Sequence, residues 1–137
     1  MRYTVVFDTN ILISALLSTR SNPFRCLALA KIGKIESVTC QEILDEFADK
    51  LLVKFKFSQE MTQTAVAEIP SFSRLVKISQ TLKAVDADPD DDMIVECAVV
   101  GSATHIITGD KHLLSMGKYD SIEIVNAADF IALSNML

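Results

Sequence analysis

Short apolar runs alternate along the chain with segments of helical period. Tyr3–Phe7 is a compact β-branched and aromatic run that stops at Asp8, and it reads as a buried strand. Asn10–Leu17 opens a helix. A second helix follows Pro23 over Phe24–Lys34 and ends near Gly33, with a strand at Ser37–Thr39 behind it. From Gln41 to about Leu52 the stripe is clear. Ile43, Leu44, Phe47 and Leu51 share one face, and Glu42, Glu46 and Lys50 share another. Met61–Ile69 is helical and is expected to end at Pro70. The pattern then predicts a strand at Leu75–Ile78, an acidic loop over Asp86–Asp92 and a helix over Met93–Val100 ending near Gly101. His105–Thr108 is a fourth strand, Lys111–Met116 a short helix, Ile122–Val125 a fifth strand and Ala127–Leu133 a closing helix. Strands separated by helices imply parallel pairing. The expected architecture is a three-layer α/β/α sandwich with a mostly parallel sheet of about five strands, in one domain over residues 1–137. Such folds place their sites beyond the carboxyl ends of the strands, at a topological switch point.

That rule directs attention to the residues after each strand. Asp8 follows the first strand in Asp8-Thr9-Asn10, and Asp110 follows the fourth in Thr108-Gly109-Asp110. The tract Asp88-Pro89-Asp90-Asp91-Asp92 runs straight into a helix, and Glu46 sits on the helix after the second strand. If the first and fourth strands are neighbours, these acids converge. Singly, each has a plain structural reading. Acids at a helix start act as caps and complement the helix dipole, and Glu46 lies four before Lys50, the favourable orientation for a surface pair. Together they describe clustered carboxylates, which repel unless a cation offsets the cost. Oxygen-only donors select Mg2+ or Mn2+ over zinc. Asp86-x-Asp88-x-Asp90 imitates a calcium loop, but its sixth position is Asp91, its twelfth is Cys97, and Pro89 interrupts it, so that reading is rejected. No phosphate-binding glycine motif exists among four Gly. His105 lies inside a strand segment, and His112 is only a weak candidate for substrate contact.

Composition and charge refine this picture. The 137 residues are 50% hydrophobic and 23% charged, which excludes a disordered chain. The net charge of −5 excludes a generic nucleic-acid-coating protein. Yet the tract with Asp86, together with Asp8, Glu46 and Asp110, holds eight of the 18 acids, and the other ten face 13 bases. The acidity belongs mainly to one edge. Cys26, Cys40 and Cys97 form no metal or disulfide pattern and read as small core residues in a reducing compartment. The longest nearly apolar run, Ile11–Leu17, is too short to span a membrane, and Asp8 and Asn10 interrupt a leader, so a cytoplasmic protein is expected.

The chain resembles the PIN domain, the ribonuclease fold of VapC-type toxins, and most closely its branch of toxin components of toxin–antitoxin systems. The resemblance runs through Val5-Val6-Phe7-Asp8-Thr9-Asn10, Ile43-Leu44-Asp45-Glu46-Phe47, Asp88-Pro89-Asp90-Asp91-Asp92 with Ala98 downstream, and Ile106-Ile107-Thr108-Gly109-Asp110-Lys111-His112-Leu113-Leu114. It implies an acidic Mg2+ or Mn2+ site of Asp8, Glu46, one tract Asp and Asp110, hydrolysing RNA with a metal-activated water. Counting seven back from Ala98 selects Asp91, with Asp92 and Asp90 as alternatives. Thr9, Asn10 and Thr108 match the family's polar supports, and simple turn capping explains them equally well. Arg20, Arg25, Lys31 and Lys34, and further on Lys50, Lys54 and Lys56, are candidate phosphate contacts or merely solvated helix faces. A mean hydropathy of +0.31 fits either a generous core or a surface covered by a second copy or an antitoxin, so a homodimer or higher oligomer is expected. Two alternatives stand beside the toxin reading: a catalytically silent PIN-fold scaffold, and a housekeeping nuclease for RNA processing or DNA flaps.

Overall fold

The computed structural model describes residues 2–85 and 88–136. Six strands, β1 (Thr4–Phe7), β2 (Glu36–Cys40), β3 (Ser73–Val76), β4 (His105–Ile107), β5 (Lys118–Tyr119) and β6 (Ile122–Val125), form one sheet in the order β3-β2-β1-β4-β6-β5. All neighbours pair parallel except β5 with β6. The helices are α1 (Thr9–Leu17), α2 (Asn22–Lys31), α3 (Gln41–Val53), α4 (Gln59–Ser71), α5 (Pro89–Val100), α6 (Lys111–Met116) and α7 (Ala127–Ser134). From β1 the chain winds outward to β2 and β3 through α1–α4, then crosses back so that α5 packs on β2, β1 and β4. Right-handed crossovers put α5 and α6 on the face opposite α1–α4, giving the three-layer α/β/α sandwich. The winding direction reverses between β1 and β4, which makes their carboxyl ends the switch point where such folds place their sites.

The two central strands are apolar on both faces because both are covered. Val5, Val6, Ile106 and Ile107 have no exposed surface. Each such side chain contributes roughly 1.5–3 kcal/mol by leaving water. The stripe of α3 is buried at Ile43, Leu44, Phe47 and Leu51, which seats that helix and fixes the direction of its opposite face. Cys26, Cys40 and Cys97 are buried and unpaired. His105 is packed, between the rings of Tyr3 at 4.6 Å and Phe130 at 5.5 Å.

Several expected boundaries move, each for a local reason. β3 lies two residues before the expected Leu75–Ile78, because the Ser73 hydroxyl bonds that of Ser37 at 2.7 Å and sets the register Ser37↔Ser73 through Cys40↔Val76. It is an edge strand with Leu75 exposed, so its apolar pattern misleads. Pro70 does not end α4; the helix runs one residue further to Ser71. α5 begins at Pro89 instead of Met93, with Asp88 as N-cap accepting from the Asp90 amide at 2.9 Å, so Asp90, Asp91 and Asp92 are first-turn residues and not loop. Asp86, the start of the expected loop, lies outside the described residues. The two-residue β5 is a sixth strand that the pattern did not predict.

α5 comes close to β2 at its final residue cap. A Cβ built on Gly101 would stand 2.4 Å from Val38 Cγ1 and 3.1 Å from the Cys97 carbonyl oxygen. Gly101→Ala is therefore expected to push α5 off the sheet and cost about 1–3 kcal/mol. Thermal melting checks this; an unchanged transition would show that Val38 yields freely.

Candidate metal and nuclease site

The acidic edge starts from backbone geometry. Asp8 continues β1 by donating its amide to the Ile107 carbonyl at 3.0 Å, and then caps α1 with its own carbonyl. Its side chain makes no cap bond, so the carboxylate projects from the strand end. Thr108, the residue after β4 and wholly buried, donates its hydroxyl to Asp8 Oδ2 at 2.6 Å and accepts from the Asp110 amide at 3.0 Å. One hydroxyl thus couples the ends of the two central strands. Asp110 caps α6, its Oδ1 accepting from the amides of His112 and Leu113. Burial holds the Asp8 carboxyl above the ordinary range against its bonds from Thr108 and Thr9; Glu46 pushes the same way as burial, and Lys50 opposes it.

Asp91 completes the cluster from α5. It is 5% exposed, and its Oδ2 is buried with no hydrogen-bond partner. Burial, then the neighbouring charges of Asp110, Asp88 and Asp8, push its carboxyl up to about 7, with His112 opposing. Neither Asp92 nor Asp90, the two alternatives to Asp91, shows such an oxygen. Asp92 Oδ1 accepts from the amides of Ala84 and Val85 at 2.8 and 2.6 Å, and Asp90 is exposed. Three carboxylates here sit at helix starts, Asp8 on α1, Asp88 on α5 and Asp110 on α6, where amide dipoles partly offset their repulsion.

Glu46 reaches the edge from α3 while pairing with Lys50 Nζ at 3.3 Å. The surface pair and the approach to Asp8 are therefore both present. Asn10 accepts from Lys50 Nζ at 3.2 Å and does not bond Asp8, and the buried Thr9 hydroxyl has no partner. Among the seven cations singled out, Lys50 is the one that meets the acids through a direct ion pair. Lys34 lies two residues before β2 at the amino end of the sheet, opposite the acids, and Lys31 is paired with Glu68 on α4. Arg20 and Arg25 are exposed, Arg25 reaching only Asn22. Lys50 carries a signal in its position, one turn after Glu46. A buried acid that the periodicity did not distinguish is Glu96, which accepts from the amides of Ser79, Gln80 and Leu82 and from the Ser79 hydroxyl.

The donor set is oxygen throughout, and an orphaned buried carboxylate oxygen faces like charges. Both features suit a hard divalent cation. Among the described residues, no three acidic, His or Cys side chains stand close enough to hold an ion alone.

A doubly flanked parallel sheet with acids collected at its switch point is the frame of a PIN domain. The chain matches that family over residues 4–112 and belongs to it, which places it among nuclease-type hydrolases. It is also 31% identical, over 120 residues, to an uncharacterized protein of Methanocaldococcus jannaschii, an alignment covering 85% of this chain and 76% of the relative. No described helix is long and apolar enough to cross a membrane.

Proposed function

We propose that this PIN domain is a Mg2+- or Mn2+-dependent endoribonuclease, the toxin of a toxin–antitoxin pair. The observation that carries the reading is the Asp91 oxygen, buried without a partner beside Asp8, Asp88 and Asp110. A folded chain keeps such an oxygen unpaired at a cost of about 1–3 kcal/mol, and a bound cation removes that cost. Asp8 and Asp91 would hold the ion, with Glu46 and Asp110 assisting directly or through water. When bound, the ion supplies Lewis-acid neutralisation of a phosphodiester and lowers the pKa of a water. The chain's own part is positioning. Thr108 fixes the Asp8 carboxylate, Lys50 restrains Glu46, and the capping bonds of Asp110 leave its second oxygen free of amides. Lys111 and His112, both exposed beside Asp110, offer donors to a phosphate backbone. Leu17, Ile32, Val53 and Met61, each more than half exposed, supply apolar surface for an antitoxin or a second copy.

The test is Mn2+ titration followed by thermal melting, with cleavage assayed on single-stranded RNA and on a DNA flap. The wild type is expected to melt higher in Mn2+ and to cleave RNA, and Asp8→Asn to lose both effects while remaining folded. Asp8→Asn cleaving at the wild-type rate would sink the assignment. The lack of a three-ligand cluster among the described residues favours a second reading, a catalytically silent binding module. That reading predicts no Mn2+ shift. Preference for the flap over RNA would point instead to a housekeeping nuclease.

A further inference from the structure

Lys50 is tied into the acidic edge more tightly than a surface lysine needs to be. Its ammonium lies 3.3 Å from Glu46 Oε1 and donates across forty residues of sequence to Asn10 Oδ1 at 3.2 Å. Asn10 stands two residues after Asp8, so the charge joins α3 to the start of α1. Glu46 is mostly buried, with 18% of its side chain exposed, which makes this pair less screened than an ordinary i,i+4 contact. Asp8 and Glu46 feel each other's charge at this edge, and Lys50 is the cation that acts on both of them.

We propose that Lys50 is the internal counter-ion of the acidic edge in the metal-free protein, and that it competes with a divalent cation for that edge. The inference rests on reading the edge as a metal site. An ammonium this close to Glu46 raises the energy of any second cation there. Its four-carbon stem lets the head swing to solvent, so an incoming ion displaces it by side-chain rotation without moving α3. Lys50 therefore makes the empty site affordable and the filled site weaker, acting on the ion through Glu46 as a positioning residue.

The experiment is calorimetric titration of Mn2+ into the full chain without RNA, for the wild type, Lys50→Gln and Lys50→Arg. Lys50→Gln keeps a donor for Asn10 and Glu46 and removes the charge, and it is expected to bind Mn2+ on the order of tenfold more tightly. Lys50→Arg keeps the charge and is expected to stay within about twofold of the wild type. In chelator Lys50→Gln should melt below the wild type, because its acids have lost their counter-charge. Unchanged or weaker Mn2+ binding by Lys50→Gln overturns the proposal; weaker binding is what a merely structural tether for Glu46 would give. A wild type that binds no Mn2+ overturns the metal-site reading and this proposal with it. Binding by the wild type with no gain in Lys50→Gln overturns this proposal alone.

Discussion

Asp91→Asn is expected to melt higher than the wild type at pH 8 in chelator while losing hydrolysis. The sign follows from the carboxyl's position. Folded, Asp91 titrates near 7 because burial, and then Asp110, Asp88 and Asp8, disfavour its charge; its ordinary value is 3.8. Between pH 4 and 7 the folded chain keeps a proton that the unfolded chain releases, so rising pH draws the equilibrium toward unfolding. Above pH 7 the full cost is present, on the order of 2–4 kcal/mol, less whatever the edge recovers by relaxing. The neutral amide removes that cost, and a gain of about 5 °C or more is expected at pH 8, shrinking toward nothing near pH 4. Melting curves across that range in chelator check the result. A variant that melts below the wild type at pH 8 would show that Asp91 is not under electrostatic strain. In saturating Mn2+ the order should reverse, since only the wild type gains an ion.

Glu96→Ala is expected to have the opposite effect on stability. The Glu96 carboxylate holds the connection after β3 by accepting from three amides and a hydroxyl over Ser79–Leu82, and Asp92 one turn earlier holds Ala84 and Val85. Burial alone would raise the Glu96 carboxyl, but those bonds, led by the Leu82 amide, bring it below its ordinary value. Truncation leaves several donors without a partner, at a cost of about 3 kcal/mol or more. Glu96→Gln, retaining one carbonyl acceptor, should lose roughly half as much. Because the folded value is depressed, the contribution is present above the unfolded pKa of about 4.3 and fades as pH falls through the lower folded value. Amide exchange over residues 79–85 reads the effect directly. Unaltered protection in Glu96→Ala would mean that the strap stands without its anchor.

What the sequence made legible follows from which signals are local. β1 and Asp8 could be read because an unbroken apolar run must be buried on both faces and must stop where a carboxylate begins. α3 could be read because one stripe is apolar and the other charged. β5 could not, since Lys118 and Tyr119 carry no periodicity and are strand only through pairing with β6. The start of α5 was hidden by its own charge. Four Asp around Pro89 look like a solvated loop, although Asp88 before Pro89 is also a cap followed by a first-turn proline. The tract shows the same limit at the level of the site. Counting back from Ala98 selects Asp91, but only tertiary contacts reveal that Asp92 bonds the strap and that Asp91 keeps an unpartnered oxygen. The placement of the basic residues was not legible at all. Lys31 and Lys50 both lie on helices, and the chain path alone decides which one reaches the acids.

The single hydroxyl that couples Asp8 to the strand end beyond Ile107 spans a hundred positions of sequence. During synthesis the amino-terminal acid leaves the ribosome long before its supporting threonine has been added. A growing chain that carries Asp8, Glu46 and Asp91 still has no assembled edge, because β4 has not yet docked beside β1 and Thr108 does not exist. For a nuclease-type hydrolase, this order of assembly delays the site until the strands that carry it are paired. The edge closes only once residues 105–108 have been made and docked beside β1.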